Sequence, residues 1–165
     1  MPVTGRRKMN NKIIKILALA SVLVSIPGFL GYVYYADVSA IENSEVSISD
    51  AGISEIGLTY CRLRMEVEVN NTSPRKITDL SVKFDIYLTD NHVGNGYFSE
   101  ISVPAHSSRT REMTVTIYYA ELTGAVLDML KEGRVTVTMR GELEGKVLYN
   151  LMGFSQTFNA SYSIV

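Results

Sequence analysis

The feature that most constrains this chain is an uncharged run of twenty residues, Ile16 to Tyr35, near its amino terminus. At about 1.5 Å per residue, a helix of this length matches the roughly 30 Å hydrocarbon core of a bilayer. Pro27 and Gly28 lie in the middle of the run, where a membrane helix tolerates them and a kink is expected. The run therefore predicts one transmembrane helix.

Charges and aromatic residues that flank the run predict its orientation. The first 36 residues contain five basic side chains and no acidic one, and positive flanks stay on the cytoplasmic side. Tyrosines at the other end favour the bilayer interface. We therefore expect a single-pass protein of the cell membrane, with its amino terminus in the cytoplasm and its carboxyl-terminal domain outside. The basic residues are Arg6, Arg7, Lys8, Lys12 and Lys15, and the tyrosines are Tyr32, Tyr34 and Tyr35.

Two other interpretations of the run stay open. Val38-Ser39-Ala40 has the small residues of a signal-peptide cleavage site, although an apolar stretch of twenty exceeds the roughly 7 to 15 residues of a signal sequence. A buried helix of a soluble protein is the other alternative. The run is apolar on every face and follows a basic cluster, which favours an uncleaved anchor.

Composition excludes several classes of chemistry. The 129 residues from Asp37 to Val165 carry 11 Lys and Arg against 17 Asp and Glu, a net charge of -6, which is unlike a nucleic-acid binder. The single cysteine, Cys61, cannot form an intrachain disulfide. Together with the two histidines, His92 and His106, it provides too few ligands for a zinc site built from His and Cys. We expect no metal, no cofactor, no nucleic-acid partner and no small-molecule substrate.

After Tyr35 the hydrophobic period changes to two, which is typical of strands. From Cys61 to Asn70 the odd positions are apolar and the even ones polar, and from Leu80 to Leu88 the even positions are apolar. The turn formers of 70–74 lie between these segments and predict a hairpin or a connection between sheets. Cys61 falls in an inward set, so we expect a small buried hydrophobe rather than a reactive thiol.

Shorter patterns continue to the carboxyl end. The segment 90–96 predicts a loop, and the segment 97–103 predicts a short strand. The helical spacing of Leu122, Val126 and Leu130 predicts a helix, which ends at Gly133. Further strands are predicted around 46–48, 113–119, 135–139 and 154–164. About seven strands with one short helix indicate a mainly β fold, an antiparallel immunoglobulin- or fibronectin type III-like sandwich, and a closed barrel is the alternative.

These patterns divide the chain into four segments. We expect a basic cytoplasmic tail over 1–12, a transmembrane anchor over 13–36, a stalk over 37–45 and a β-sandwich domain over 46–165. The lipid bilayer is then the partner of residues 13–36.

Residue types suited to catalysis or metal binding occur without the required spacing. Glu66 and Glu68 share a strand face, but Arg62 and Arg64 share it too, as on a solvated sheet surface. Asp90, His92 and Ser107 or Ser108 supply the types of a hydrolytic triad without a nucleophile elbow. Asp85, Asp90 and Asn91 offer oxygens to calcium without the spacing of an EF-hand loop. We therefore expect no catalytic residues and no enzyme.

Three sequons are candidate sites of modification. They start at Asn70, Asn71 and Asn159, and each can be glycosylated only if the domain lies outside and the residue is exposed.

The outer segment resembles a known family in the order of its strand and turn residues. The resemblance runs through Val67-Glu68-Val69-Asn70-Asn71, Phe84-Asp85-Ile86-Tyr87-Leu88, Val93-Gly94-Asn95-Gly96, Val103-Pro104-Ala105 and Val115-Thr116-Ile117. It is similar to the WHy (water stress and hypersensitive response) domain of the type 2 late embryogenesis abundant proteins, in a membrane-anchored prokaryotic or archaeal form. One departure is that Asn70-Asn71-Thr72-Ser73 precedes Pro74, where the family usually has a proline between asparagines.

The resemblance implies a fibronectin-like sandwich, no enzymatic activity and a role in desiccation and other water stress. Two functional classes remain. The first is a noncatalytic extracytoplasmic domain that protects labile client proteins or lipid. The second is an adhesion or assembly module that binds an envelope protein through a sheet edge. An exposed apolar patch would favour the second class, because a solvating surface has no need of one.

Overall fold

One long helix, α1 (Asn11–Glu42), precedes seven strands in the computed structural model, which describes residues 11–164. The predicted tail residues Arg6, Arg7 and Lys8 lie outside the described residues. A 3-10 helix, Tyr119–Glu121, and a second α-helix, α2 (Gly124–Lys131), follow the fifth strand. The strands are β1 (Ser44–Ile56), β2 (Tyr60–Asn71), β3 (Ile77–Leu88), β4 (Asn91–Val103), β5 (Ser107–Tyr118), β6 (Val135–Val147) and β7 (Met152–Ile164).

The strands form two antiparallel sheets, which confirms the predicted fold class. One sheet has the order β1-β2-β5 and the other the order β4-β3-β6-β7. The chain crosses from the first sheet to the second between β2 and β3, where the turn formers of 70–74 lie. This two-layer arrangement is that of a sandwich and excludes the closed barrel.

The core lies between the sheets, where the sequence pattern predicts it. The odd positions of 61–69 in β2 and the even positions of 80–88 in β3 are all buried. Because successive side chains of a strand point to opposite faces, these two sets face each other between the layers. Phe84 lies among them, with its ring centroid 5.6 Å from that of Phe98 and 6.5 Å from that of Phe158.

β4 begins earlier than the sequence predicts. The loop predicted over 90–96 is wrong, since β4 starts at Asn91 and only the two residues before it form the turn. The glycine that suggests a turn serves packing instead, because a side chain at Gly96 would overlap the ring of Phe84.

α2 confirms the single helix predicted in the outer domain. It buries Val126, and Gly133 follows its last turn with a positive φ of 70°. The backbone N–H of Gly133 donates to the carbonyl of Leu130, and that of Arg134 donates to Met129. These two bonds satisfy carbonyls at the helix end, as glycine-terminated helices require.

α1 continues beyond the predicted span. It passes through Pro27, extends over most of the segment predicted as a stalk, and ends at Glu42, two residues before β1. It is long and apolar enough to cross a membrane, and its described residues 11–32 are exposed.

Candidate functional site

Two ends of the sandwich carry the features that bear on function. The base is the end of the sandwich that α1 joins. The tip is the opposite end, which carries the turn between β1 and β2. At the base Ser44 pairs with Asn71, which in turn pairs with Ser107. At the tip Ile56 pairs with Cys61.

The last turns of α1 are part of the folded domain. Ala40 and Ile41 are buried in the same apolar core as the strands, and Val33 is buried as well. Gly145 of β6 makes room for Ile41, since a methyl group there would reach 2.5 Å from Ile41 Cδ1. The base of the sandwich is therefore built partly from the helix.

Asp37 fixes this helix end to the sandwich. Its Oδ1 lies 2.9 Å from an Arg75 guanidinium nitrogen, and its Oδ2 accepts a 2.9 Å hydrogen bond from the backbone N–H of Leu148. The Asp37 side chain is only 19% exposed, so these partners replace much of its hydration. A pairing of residues so distant in sequence could not be predicted from the local pattern.

Side chains also cap the carbonyl end of α1. Gln156 of β7 donates from Nε2 to the carbonyls of Ile41 at 2.8 Å and Ser44 at 3.1 Å, and Asn43 donates from Nδ2 to Ser39 at 2.7 Å. The last carbonyls of a helix have no partner within it, so such donors hold the end in place.

Asn71, the middle sequon residue, organises the turns at the base. It is fully buried, and its Nδ2 donates to the carbonyls of Arg75 at 2.7 Å, Pro104 at 3.0 Å and Val103 at 3.3 Å. Its Oδ1 accepts from the backbone N–H and the hydroxyl of Ser73. The side chain therefore joins the β2–β3 turn to the β4–β5 turn, and a glycan on its nitrogen would displace these bonds.

The other two sequon residues are more open. Asn159 is exposed on β7, and Asn70 is half-buried on β2. The folded domain leaves room for modification at Asn159, and the three sequons stay candidate sites from the sequence.

The catalytic residue types are not brought together. His92 lies near the tip, where it pairs with Tyr87, and Ser107 lies at the base beside Asn71. A strand of this length separates them by roughly 35 Å. His92 Nε2 lies 3.5 Å from Asp85 Oδ1 on the surface, and no three His, Cys, Asp or Glu side chains in the part of the chain that the structure describes could share a metal ion.

Charged residues of the β1–β2 face form cross-strand pairs. Arg62 donates to Glu55 at 2.6 Å, and Arg64 lies 3.6 Å from Asp50. All four side chains are well exposed, so the pairs contribute little to stability and keep this sheet face hydrated. This agrees with the interpretation of Arg62 and Arg64 as part of a solvated face, on which Glu66 and Glu68 are half-buried.

The tip carries an apolar cleft of about 290 Å³ between α2 and the β1–β2 turn. Most of its lining is apolar, and Lys131 is the charged residue in it. Ile56, the last residue of β1, is 78% exposed, and Leu58, on the turn, is 100% exposed. The patch was not predictable from strand alternation, because it forms between α2 and the β1–β2 turn, which are distant in the sequence. The cleft is lined by Ile53, Ile56, Gly57, Leu58, Cys61, Tyr119, Leu127, Leu130 and Lys131.

Three titratable side chains at or near the cleft, Cys61, Tyr119 and Tyr60, have raised pKa values. Burial raises the pKa of the Cys61 thiol, which is consistent with the buried hydrophobe predicted from its strand position. Burial also raises the pKa of Tyr119, whose hydroxyl donates to the carbonyl of Gly57 at 3.2 Å. A hydrogen bond to Glu55 raises the pKa of Tyr60. The cleft therefore offers apolar surface and no activated nucleophile.

Comparison with known proteins gives a family and a fold. The family model described as late embryogenesis abundant protein matches residues 66–155. A solution structure from Arabidopsis thaliana aligns with a TM-score of 0.56 at 16% identity, covering 73% of this chain and 80% of that one. A crystal structure from Archaeoglobus fulgidus aligns with a TM-score of 0.40 at 11% identity, covering 73% and 96%. No curated protein matches the chain significantly.

Proposed function

Because the chain belongs to the late embryogenesis abundant family, whose model matches residues 66–155, we propose that it protects neighbouring proteins or lipid during water loss as a membrane-tethered, noncatalytic domain. The family match is the observation that carries this proposal. Within the family we propose the WHy type in its membrane-anchored prokaryotic form, on the resemblance of the strand and turn residues 67–117, which lie inside the matched range.

The long apolar helix supports the tether. α1 is exposed along most of its length, as a helix in contact with lipid would be, and its last turns are locked into the domain by Asp37, Ile41 and Gln156. A signal sequence that is removed after Ala40 would take Asp37 and Val33 with it. The contacts of these residues therefore favour a helix that is retained.

The surface of the domain supports a noncatalytic role. The residue types of a triad lie at opposite ends of the sandwich, and the solvated faces carry paired charges. Such a surface stays hydrated beside other molecules, and a tether keeps its local concentration high at the membrane.

A drying assay on reconstituted vesicles tests the proposal. The full chain is placed in vesicles that hold a trapped dye and a labile enzyme, and both are measured after drying and rehydration. The control is an unrelated acidic β-sandwich of equal mass fused to the same residues 1–42. We expect less dye leakage and more surviving activity with this chain. Equal loss at matched protein density would contradict protection.

The apolar cleft at the tip favours a second function, binding of an envelope protein. Leu58 is fully exposed on the β1–β2 turn at the tip, where a tethered domain would present it to other molecules. Surfaces that only hold water have no use for such a patch. The edge strand β5 is less suited to this role, because Arg109 and Arg111 place charges along it.

Crosslinking in native membranes tests this second function. We expect a stoichiometric partner for the unchanged chain and its loss in Leu58→Asp. Thr59→Asp is the matched control, since it adds the same charge to the same exposed turn. A partner that is captured equally by both variants binds elsewhere.

A further inference from the structure

The turn between β6 and β7 exposes large apolar side chains at the base of the sandwich. Tyr149 is 67% exposed and Leu151 is 77% exposed, and Met152 beside them is half exposed. A turn that is exposed to solvent normally carries Gly, Asn or Asp at such positions. Packing in the core of the domain therefore does not account for these apolar side chains.

The backbone of this turn makes the choice of residues more unusual. Leu148, Tyr149 and Asn150 have φ values of 53°, 58° and 67°, in the left-handed region that side chains such as Leu and Tyr disfavour. The turn is held by Asp37 on Leu148 and by Asn150, which donates to Asp79 at 3.3 Å. A costly conformation that is fixed by its surroundings and exposes apolar side chains points to a contact outside the domain.

The contacts with α1 set the depth of this turn. Asp37 is the first charged residue after the uncharged run, so it marks the outer end of the apolar span. Tyr149 and Lys146 line one recess of about 170 Å³ together with Asp37 and Val33. Val33 lies four residues before Asp37, which is about 6 Å deeper along the helix. The turn therefore lies beside the end of the span, at the level where a bilayer interface would be.

The charges around the turn suit a lipid surface. Lys76 and Lys146 line the same recess, and both are exposed. Asp37 and Asp79, two acidic groups at the turn, already accept bonds from Arg75 and Asn150. A third acidic group, Glu100, lines a neighbouring recess together with Lys146 and Asn150. Tyrosine favours the headgroup region, and lysine ammonium groups attract lipid phosphates.

We propose that the β6–β7 turn is a second membrane-contact element, which inserts Tyr149 and Leu151 into the headgroup region of the outer leaflet beside α1. This proposal rests on the membrane tether of the proposed function. The turn and the helix then hold the sandwich at two points, so the tip with its apolar cleft faces away from the bilayer.

Single-tryptophan variants test the contact, because the chain contains no Trp. The full chain is reconstituted in nanodiscs of phosphatidylcholine and phosphatidylglycerol, with and without bromine on the upper part of the acyl chains. We expect the emission of Tyr149→Trp and Leu151→Trp to shift to the blue and to be quenched by brominated lipid. Tyr118→Trp, an exposed position at the tip, should be unaffected.

A third position separates failure of this contact from failure of the tether. Phe29→Trp lies inside the uncharged run and should be quenched whenever α1 spans the bilayer. Quenching at position 29 without quenching at 149 and 151 would overturn the turn contact and leave the tether intact. No quenching at position 29 would overturn the tether. A blue shift at 149 that brominated lipid does not quench would mean that protein, not lipid, covers the turn, and would also overturn the proposal.

Discussion

Asp37 and Leu148 are 111 residues apart in the chain and are joined by a 2.9 Å hydrogen bond from the Leu148 backbone N–H to Asp37 Oδ2. The bond links the helix to the β6–β7 turn, and the other carboxylate oxygen pairs with Arg75 of the β2–β3 turn. One side chain therefore connects three parts of the base. A domain joined in this way cannot swing freely about its tether.

Replacing Asp37 should loosen this joint. Asp37→Ala leaves the Leu148 N–H and the Arg75 guanidinium without their acceptor, and we expect a loss of about 1 to 3 kcal/mol in the free energy of unfolding. Hydrogen exchange at the Leu148 amide should become faster. Asp50→Ala is the matched control, because its pair with Arg64 is exposed and should contribute less than about 0.5 kcal/mol. Equal effects of the two changes would show that Asp37 does not join the elements.

The register of β3 predicts that alanine substitutions at two adjacent residues lower stability by very different amounts. Phe84 is buried between the rings of Phe98 and Phe158, so Phe84→Ala should cost about 3 to 5 kcal/mol through lost burial and a cavity. Lys83 is exposed, and Lys83→Ala should change stability by less than about 0.5 kcal/mol. Chemical denaturation of both variants gives the comparison. Similar costs at the two positions would mean that the register is wrong.

The sequence predicts what depends on local period and misses what depends on distant contacts. β2 and β3 were predictable because each buries alternate residues for most of its length. The start of β4 was not, because Gly96 looks like a turn residue until the ring of Phe84 is seen opposite it. The contacts of Asp37 were not predictable for the same reason, because its partners lie in two turns whose positions in space the local pattern does not predict.

Asn71 should be needed for stability rather than for modification. Asn71→Ala removes the donor that three backbone carbonyls share, and we expect a cost of about 2 to 4 kcal/mol. Asn159→Ala, at an exposed sequon, should change stability by less than about 0.5 kcal/mol. Thermal unfolding of both variants checks this, and intact-mass analysis of the native protein locates any glycan. A glycan on Asn71 of the folded protein would contradict the buried hydrogen bonds.

Cys61 should make stability fall at alkaline pH. Burial raises the pKa of its thiol above the ordinary value of 9.0, so the folded chain keeps the thiol neutral where the unfolded chain releases the proton. The contribution is complete below the unfolded pKa and is lost as the pH rises towards the folded one. The urea concentration at the midpoint of unfolding should therefore decline above about pH 9. The decline should be smaller in Cys61→Ala. The decline that is left in this variant includes the contributions of Tyr60 and Tyr119, whose pKa values are also raised. An equally steep decline without the thiol would refute this contribution.

The last prediction is that α1 is kept in the mature protein and that residues 46–165 lie outside the cell. Ala40 is buried, and its carbonyl accepts a 2.8 Å hydrogen bond from the Ser44 hydroxyl, so a chain cut after Ala40 would start inside its own core. Intact-mass analysis of membrane-extracted protein should therefore find residues 1–40 still attached. Protease added to intact cells should digest the domain, with a cytoplasmic protein as the uncut control. A mature chain that begins near Glu42 would disprove the anchor, and a domain that resists protease until the membrane is opened would reverse its orientation.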